Sequence, residues 1–277
     1  MAVNEQPTRG NRLMQLEEGA GWSRGIRNVL RGELNSWFNT RTWWSQILIW
    51  AASINLIFLM VALSVKRAEG RGEGLGMDSI MIFNIFMGLV GPIGVSIIMQ
   101  SAVVGEKRSG TAAWVLSKPV SRFAFILSKL MANTLGIAVT MVLAQGLIAY
   151  LIEGLVVGEW LPVGGFLAGL GVHLVNILFY LTLTLMLGTV FENAAPVIGI
   201  PLAFLFSQNF LSSIYPALVK LLPWTLVIPL NNSTELPLAA ALMTGAPLPS
   251  LVPLFATMAA SVIFVVIALW AFNRQEL

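Results

Sequence analysis

The sequence predicts an all-α integral membrane protein with six transmembrane helices. Of its 277 residues, 57% are hydrophobic and only 10% are charged, whereas roughly a quarter of the residues in a soluble domain are charged. Apolar runs of about 20 residues, the length that crosses a bilayer, recur along the chain. Shorter elements complete the prediction: an N-terminal interfacial amphipathic helix, a short cytoplasmic helix in the second loop, and short re-entrant helices before the last span.

The N-terminal region divides into a polar tail and an amphipathic helix. Residues 1–20 are polar, which predicts a disordered cytoplasmic tail, and they lack the apolar core of a signal peptide. Residues 21–44 have apolar side chains at helical spacing, with arginines beside the apolar stripe. Tryptophan and arginine together suit a helix in the lipid headgroup layer, although a soluble docking helix has the same pattern. The predicted interfacial anchors are Trp22, Arg24, Arg27, Arg31, Trp37, Trp43 and Trp44.

Residues 45–277 form the predicted six-helix transmembrane domain. Pro92 and Gly94 predict a kink in the second span, because proline removes a helical hydrogen bond. The fifth span begins near Glu192 and contains Pro196 and Pro201, and the C-terminus would change sides if this span were re-entrant. The predicted spans are Ser45–Val65, Ile80–Val104, residues 123–151, Leu161–Val190, Ala194–Leu211 and Leu251–Ala271.

The distribution of Lys and Arg predicts the orientation of these spans. With six spans, the ends and loops on one side hold 12 Lys and Arg residues, and those on the other side hold 4. Positive residues remain in the cytoplasm, so we expect a multi-pass protein of the cytoplasmic membrane with both termini cytoplasmic. Residues 213–250 then lie outside; they are apolar but contain six prolines, which predicts short re-entrant helices.

The sequence lacks the residues that several kinds of chemistry require. With no Cys, disulfides and thiolate metal sites are excluded. The nearest match to a Walker A motif, Gly105–Thr111, lacks the Lys before Thr that would reach a phosphate. The predicted spans contain no paired carboxylates, which argues against a proton- or sodium-driven carrier. We therefore expect no enzyme activity, cofactor or metal in this chain. We interpret its net charge of +3 as a reflection of membrane topology rather than of affinity for nucleic acid.

Uncharged polar side chains within the spans have two interpretations. Gly165, Gly169 and His173 share one helix face, and the G-x-x-x-G pair permits close helix approach. The polar side chains then form interhelical hydrogen bonds, or they line a translocation path. Both alternatives stay open for Asn84, Gln100, His173 and Asn176.

The loop between the second and third spans, residues 105–122, is charged but has an apolar centre around Trp114. The pattern predicts a short helix with Thr111 as N-cap that ends before Pro119. Ser121 is then placed to cap the third span, with Arg122 and Lys129 near the cytoplasmic lipid face. An amphipathic linker with no partner is the alternative interpretation.

These connector residues resemble the cytoplasmic signature of ABC-2 type transporter permeases. The resemblance rests on Glu106, Gly110, Thr111, the run Leu116-Ser117, the run Pro119–Arg122 and Lys129, and less on the tail Phe272–Leu277. It implies that residues 105–122 contain a coupling helix that docks on a separate ATPase subunit. The implied ATPase-coupling residues, with the neighbouring charges and Trp114 as the expected anchor, are Glu106, Lys107, Arg108, Gly110, Thr111, Trp114, Leu116, Pro119, Ser121 and Arg122.

The resemblance also implies an assembly. Two permeases, as a homodimer or a close heterodimer, would join two ATPase subunits that bind ATP and Mg²⁺, and the whole would export a substrate. Uncharged polar groups with many Phe and Met suit an amphiphilic substrate. Other expected contacts are with membrane lipid and not with nucleic acid. The alternative functions are a non-transporting membrane assembly or sensor protein and, third, an intramembrane enzyme.

Overall fold

The computed structural model describes residues 21–69, 79–215, 218, 221–230 and 235–275, and these residues form helices and connecting turns with no strand. Six helices are long and apolar enough to cross a membrane, which confirms the predicted number. They are Thr42–Ala68, Ser79–Arg108, Arg122–Val157, Val163–Val190, Ala194–Leu211 and Val252–Asn273, called the first to sixth spans below. The predicted tail of residues 1–20 lies outside the described residues.

The third span extends beyond its predicted end at residue 151. The helix continues through Glu153 to Val157, and the Glu153 carboxylate is buried. Both of its oxygens accept the Ser79 hydroxyl at 2.7 Å. A charge that is paired inside the protein does not end an apolar helix, so the boundary predicted from hydropathy is too early.

The amphipathic helix, Ile26–Phe38, follows a short 3₁₀ turn at Gly21–Ser23 and packs along the third span. The Trp37 ring fills the space beside Gly136, where a side chain would overlap it. Trp37 Nε1 donates to Asn133 Oδ1 at 3.2 Å. With only 5% of its surface exposed, Trp37 is not the interfacial anchor we predicted, because its apolar face is covered by protein.

The fourth span, Val163–Val190, lies at the centre of the bundle. It packs against the second span, the sixth span and a short helix before the sixth span. It is the most buried of the six, and the sixth, fifth and first spans are the least buried. The outer spans therefore present their apolar side chains to the surroundings, as lipid-facing helices do.

Several hydrogen bonds bring the described ends of the chain to one end of the bundle, here called the connector end. The Ser121 amide donates to the Arg24 carbonyl at 3.0 Å, and the Arg122 guanidinium donates to the Asn273 carbonyl at 2.8 Å. Gln275 Nε2 donates to the carbonyl of Thr189, at the end of the fourth span. The fourth and sixth spans thus end together, so the chain returns to the opposite end between them, and the fifth span is the helix there that is long enough to cross.

The segment before the sixth span contains two short helices, Trp224–Val227 and Leu238–Thr244, at the end opposite the connector. Val227 packs on Gly88 of the second span, and the second short helix packs on Gly165 and Gly169. The G-x-x-x-G pair therefore permits a close approach, but its partner is a short helix rather than another span.

Candidate functional site

The connector continues the second span through Glu106–Arg108 and then forms a short helix, Thr111–Leu116. Gly110 is the N-cap, with a left-handed φ of 73° that glycine adopts without strain. The prediction that Thr111 is the N-cap is wrong. Thr111 is the first helical residue, and its hydroxyl pairs with the Ser109 hydroxyl at 2.8 Å instead of capping a backbone amide.

Two other connector predictions are confirmed. The short helix ends at Leu116, before Pro119. Ser121 caps the third span, because its hydroxyl accepts the Ala124 amide at 3.0 Å. Pro119 and Val120 also pack against Gly25, which begins the amphipathic helix with a left-handed φ of 81°. The start of that helix is therefore fixed to the connector.

The short connector helix has a buried face and an exposed face. Ala112 is buried, and Val115 and Leu116 pack partly against the core. Trp114 points the other way and is 62% exposed. The Lys118 ammonium lies 3.4 Å from the centroid of the Trp114 ring, a cation–π contact at the surface. Of the predicted apolar patch, Trp114 is the large side chain that a partner could reach.

A groove of about 510 Å³ separates the amphipathic helix from the connector. Trp114 forms part of its wall, and Phe125 lies at the start of the third span below it. The groove has apolar walls with two carboxylates. Its lining residues are Gly25, Asn28, Val29, Gly32, Glu33, Ser36, Glu106, Thr111, Trp114, Val115, Lys118, Pro119, Val120 and Phe125.

A buried lysine holds the two carboxylates of this groove. Lys129 Nζ lies 2.6 Å from Glu33 Oε1 and 2.6 Å from Glu106 Oε1, and the lysine side chain is fully buried. The prediction that Lys129 lies at the lipid face is wrong, because its two counter-charges draw it into the protein. One ammonium joins the amphipathic helix, the end of the second span and the third span.

Glu33 was not among the predicted site residues, although the sequence contains an indication of its role. It is four residues before Trp37 and four after Val29, so it lies within the apolar stripe of the amphipathic helix. Lys129 follows the buried Phe125 by the same spacing. A charge on an apolar helix face needs a partner inside the protein.

The cations among the predicted ATPase-coupling residues bind carbonyls of this chain. Lys107 Nζ donates to the carbonyls of Gly188 and Thr189 at 3.4 and 3.3 Å. Arg108 donates to the Glu192 carbonyl at 3.1 Å and to Asn193 Oδ1 at 2.7 Å. These bonds satisfy carbonyls that a helix end leaves without partners. Arg122 does the same at the end of the sixth span, so none of the three cations lines the groove.

The polar residues predicted within the spans divide into separate places. His173 Nε2 lies 2.8 Å from Asn84 Oδ1, an interhelical hydrogen bond of the expected kind. Asn176 is buried, and its Nδ2 has no hydrogen-bond partner in the described part of the chain. Gln100 is half-exposed and lies 16 residues beyond Asn84 on the second span, about 24 Å away at ~1.5 Å per residue. The four residues therefore do not form one site.

Among the described residues, no group of three or more His, Cys, Asp or Glu side chains could hold a metal ion.

The molecule is thus a helical bundle with six candidate membrane spans and a groove at its connector end. Residues 45–277 match the model of a family described as a protein of unknown function (DUF2705), and the chain belongs to that family. No curated protein matches the chain in sequence.

Proposed function

We propose that this protein is the permease subunit of an ATP-driven ABC-2 type transporter in the cytoplasmic membrane. In this proposal the connector end faces the cytoplasm, and both termini are cytoplasmic. Two copies, or one copy and a close relative, pair in the membrane and bind two copies of a separate ATPase, which holds ATP and Mg²⁺. The assembly exports a substrate, and an amphiphilic one suits the composition of the spans.

The exposed Trp114 ring beside the groove is the observation that carries this proposal. A partner interface concentrates its binding energy in a few aromatic or Arg residues placed against pockets. Trp114 is a large apolar side chain on a helix whose opposite face is held by the core. A partner that covers Trp114 would also cover the groove and bury an apolar surface that otherwise faces water.

The contacts that hold the connector to the spans support a role in transmitting motion. Glu106 is joined through Lys129 to the third span and to Glu33 of the amphipathic helix. Lys107 and Arg108 join the same turn to the end of the fourth span. A force applied to Trp114 would therefore reach several spans through direct contacts, as ATP-driven coupling requires.

In this proposal the predicted coupling residues have different roles. Trp114 is the anchor, with Thr111, Glu106 and Pro119 in the adjoining groove wall. Gly110 and Ser121 shape the short helix and the start of the third span. The remaining residues position the connector: Lys107, Arg108, Leu116 and Arg122.

Copurification with an ATPase subunit tests the proposal. Trp114→Ala should weaken binding by about 2 kcal/mol or more, the size expected of an interface anchor, which is roughly thirtyfold at ~1.4 kcal/mol per tenfold. Trp270→Ala is the matched control, because Trp270 is equally exposed but lies on the sixth span. Unchanged ATPase binding and unchanged substrate-stimulated ATP turnover in Trp114→Ala would rule the coupling role out. Capture of a partner without ATPase activity would favour the assembly or sensor alternative.

A further inference from the structure

Three neighbouring spans are interrupted where they touch one another, part of the way along the bundle. The first span contains a π-helical segment at Ala51–Asn55, and the third span contains another at Ala138–Leu143. The second span contains Pro92 within its α-helix. Two further π segments lie away from this level, at Ser101–Gly105 nearer the connector and at Glu153–Val157 at the far end of the third span. A π segment widens the helix and shifts its hydrogen bonds by one residue, and such segments are frequent at functional sites.

Hydrogen bonds of Gln145, two residues after the π segment Ala138–Leu143, link that segment to the one at Ala51–Asn55. Asn55 Nδ2, within the first segment, donates to Gln145 Oε1 at 2.8 Å. Gln145 Nε2 donates to the Thr140 carbonyl, within the π segment of the third span, at 2.9 Å and to the Ile47 carbonyl of the first span at 3.2 Å. One buried glutamine side chain therefore bridges the loosened turns of both spans.

Trp50 of the first span connects the second span to these π segments. The Trp50 ring, at the edge of the first π segment, occupies the space beside Gly94, where a side chain would overlap it. Two residues before Gly94, Pro92 has no amide to donate to the preceding turn. The helix continues through Pro92, and the Pro92 carbonyl accepts the Ser96 hydroxyl at 2.8 Å.

The parts of these spans on the connector side of the interruptions are bound into one body. Lys129 pairs with Glu33 and Glu106, and Trp37 bonds Asn133. All five residues lie between the interruptions and the connector end. The body therefore contains the amphipathic helix, the connector and the adjoining parts of the second and third spans. The start of the first span packs against the amphipathic helix and belongs to the same body.

The fourth span has no such interruption, because it is one α-helix of 28 residues, Val163–Val190. At the connector end it meets the body through Lys107 and Arg108, which donate to carbonyls around the end of the fourth span. Val103 of the second span also packs there, on Gly188. The bonds of Lys107 and Arg108 are part-buried or exposed, so losing them should cost less than leaving a buried charge of the body without its partner.

We propose that the π segments Ala51–Asn55 and Ala138–Leu143, together with Pro92, form a hinge on which the connector-side body tilts against the fourth span. Lys107 and Arg108 are the latch that holds the body in the position described above. The hinge depends only on contacts within this chain, so a test of it does not depend on whether an ATPase partner binds.

Paired spin labels test the hinge, and the absence of cysteine makes their placement simple. An inner pair, Arg31→Cys with Val190→Cys, measures the distance between the body and the connector end of the fourth span. An outer pair, Leu151→Cys with Leu167→Cys, measures the distance between the third and fourth spans at the opposite end. A body pair, Arg31→Cys with Ser117→Cys, lies within the body, and all five positions are exposed.

Opening the latch with Lys107→Ala and Arg108→Ala should move the inner pair alone. The third span has 16 helical residues before its π segment, about 24 Å at ~1.5 Å per residue. A tilt of about 10° therefore moves the connector end by ~4 Å, which pulsed EPR resolves in purified protein. An unchanged inner pair would overturn the proposal, and so would an equal shift of the outer pair or the body pair.

A second variant tests the position of the hinge. Gln145→Leu removes the bridge between the π segments and should broaden the distances of the inner pair while the outer and body pairs keep theirs. Gln208→Leu is the matched control: Gln208 is equally buried and bonds Tyr180 and the Trp224 amide, away from the interruptions. Equal broadening in both variants would show general loosening and overturn the hinge.

Discussion

Phe272 of the sixth span stacks on Phe125 of the third span, with ring centroids 5.5 Å apart and planes 8° from parallel. Phe125 also lines the groove at the connector end, and its ring lies 5.0 Å from the Lys129 ammonium. The sixth span thus supports the floor of the groove, which is formed by much earlier residues. This support acts through buried aromatic contact, which a truncated side chain removes.

Phe272→Ala should therefore lower the free energy of unfolding by about 2 kcal/mol. The smaller side chain leaves a cavity, which lowers the free energy of unfolding even where the surroundings are apolar. The contribution from transferring the ring out of water is smaller for a protein surrounded by lipid. Phe255→Ala, on the exposed face of the same span, should change the free energy of unfolding little. Denaturation in detergent measures both, and an equal loss in the two variants would contradict the role of the stack.

The shared lysine predicts a non-additive pair of substitutions. Glu33→Gln and Glu106→Gln should each have a small effect, because the remaining carboxylate still pairs with Lys129. The double variant leaves a buried ammonium without a counter-charge, which costs about 3–5 kcal/mol. Adding Lys129→Met to the double variant should restore most of the stability. Additive losses, or no rescue by Lys129→Met, would contradict the buried three-residue arrangement.

Two glycines of the fourth span should respond differently to alanine. A methyl group at Gly165 overlaps the Leu242 carbonyl of the short helix Leu238–Thr244, whereas one at Gly171 meets nothing nearby. Gly165→Ala should destabilise the protein by about 1–3 kcal/mol, and Gly171→Ala should be neutral or slightly stabilising because alanine favours helix. A cysteine replacing the buried Met243 should become reactive with maleimide only in the Gly165→Ala background. Similar behaviour of both alanine variants would contradict the close approach at Gly165.

Single cysteines test the orientation proposed for the membrane. In intact cells, an impermeant thiol reagent should label Leu248→Cys, on the segment placed outside, and should fail to label Ser109→Cys in the connector. Both residues are exposed on the protein surface, so burial does not explain a difference between them. Permeabilised cells provide the control, in which both variants should react. The reverse pattern in intact cells would invert the topology.

Local sequence predicts much of this fold because each span is a contiguous apolar run. The cap at Ser121 and the end of the connector helix before Pro119 are local too, since they depend on neighbouring backbone groups. The amphipathic stripe around Trp37 is visible in the sequence, but a stripe does not reveal whether lipid or protein covers it. That is why the anchor role predicted for Trp37 fails.

The candidate site depends more on contacts between distant residues. Glu33 and Lys129 are 96 residues apart, and no local pattern pairs them, although each stands out as a charge on an apolar helix face. The π segments at Ala51–Asn55 and Ala138–Leu143 have no marker of their own, because their sequences suit an ordinary α-helix equally well. Such segments depend on the packing of neighbouring spans, which sequence periodicity does not specify.

The buried pairing of Lys129 has a consequence for how the chain is made. Both of its counter-charges, Glu33 and Glu106, precede it in the sequence, so they have left the ribosome before the third span is inserted. The ammonium can then enter the growing bundle already neutralised and need not wait for later spans. Phe272 and Gln275 follow much later in the sequence and close contacts with Phe125 and Thr189, so the connector end is completed only when the sixth span is added.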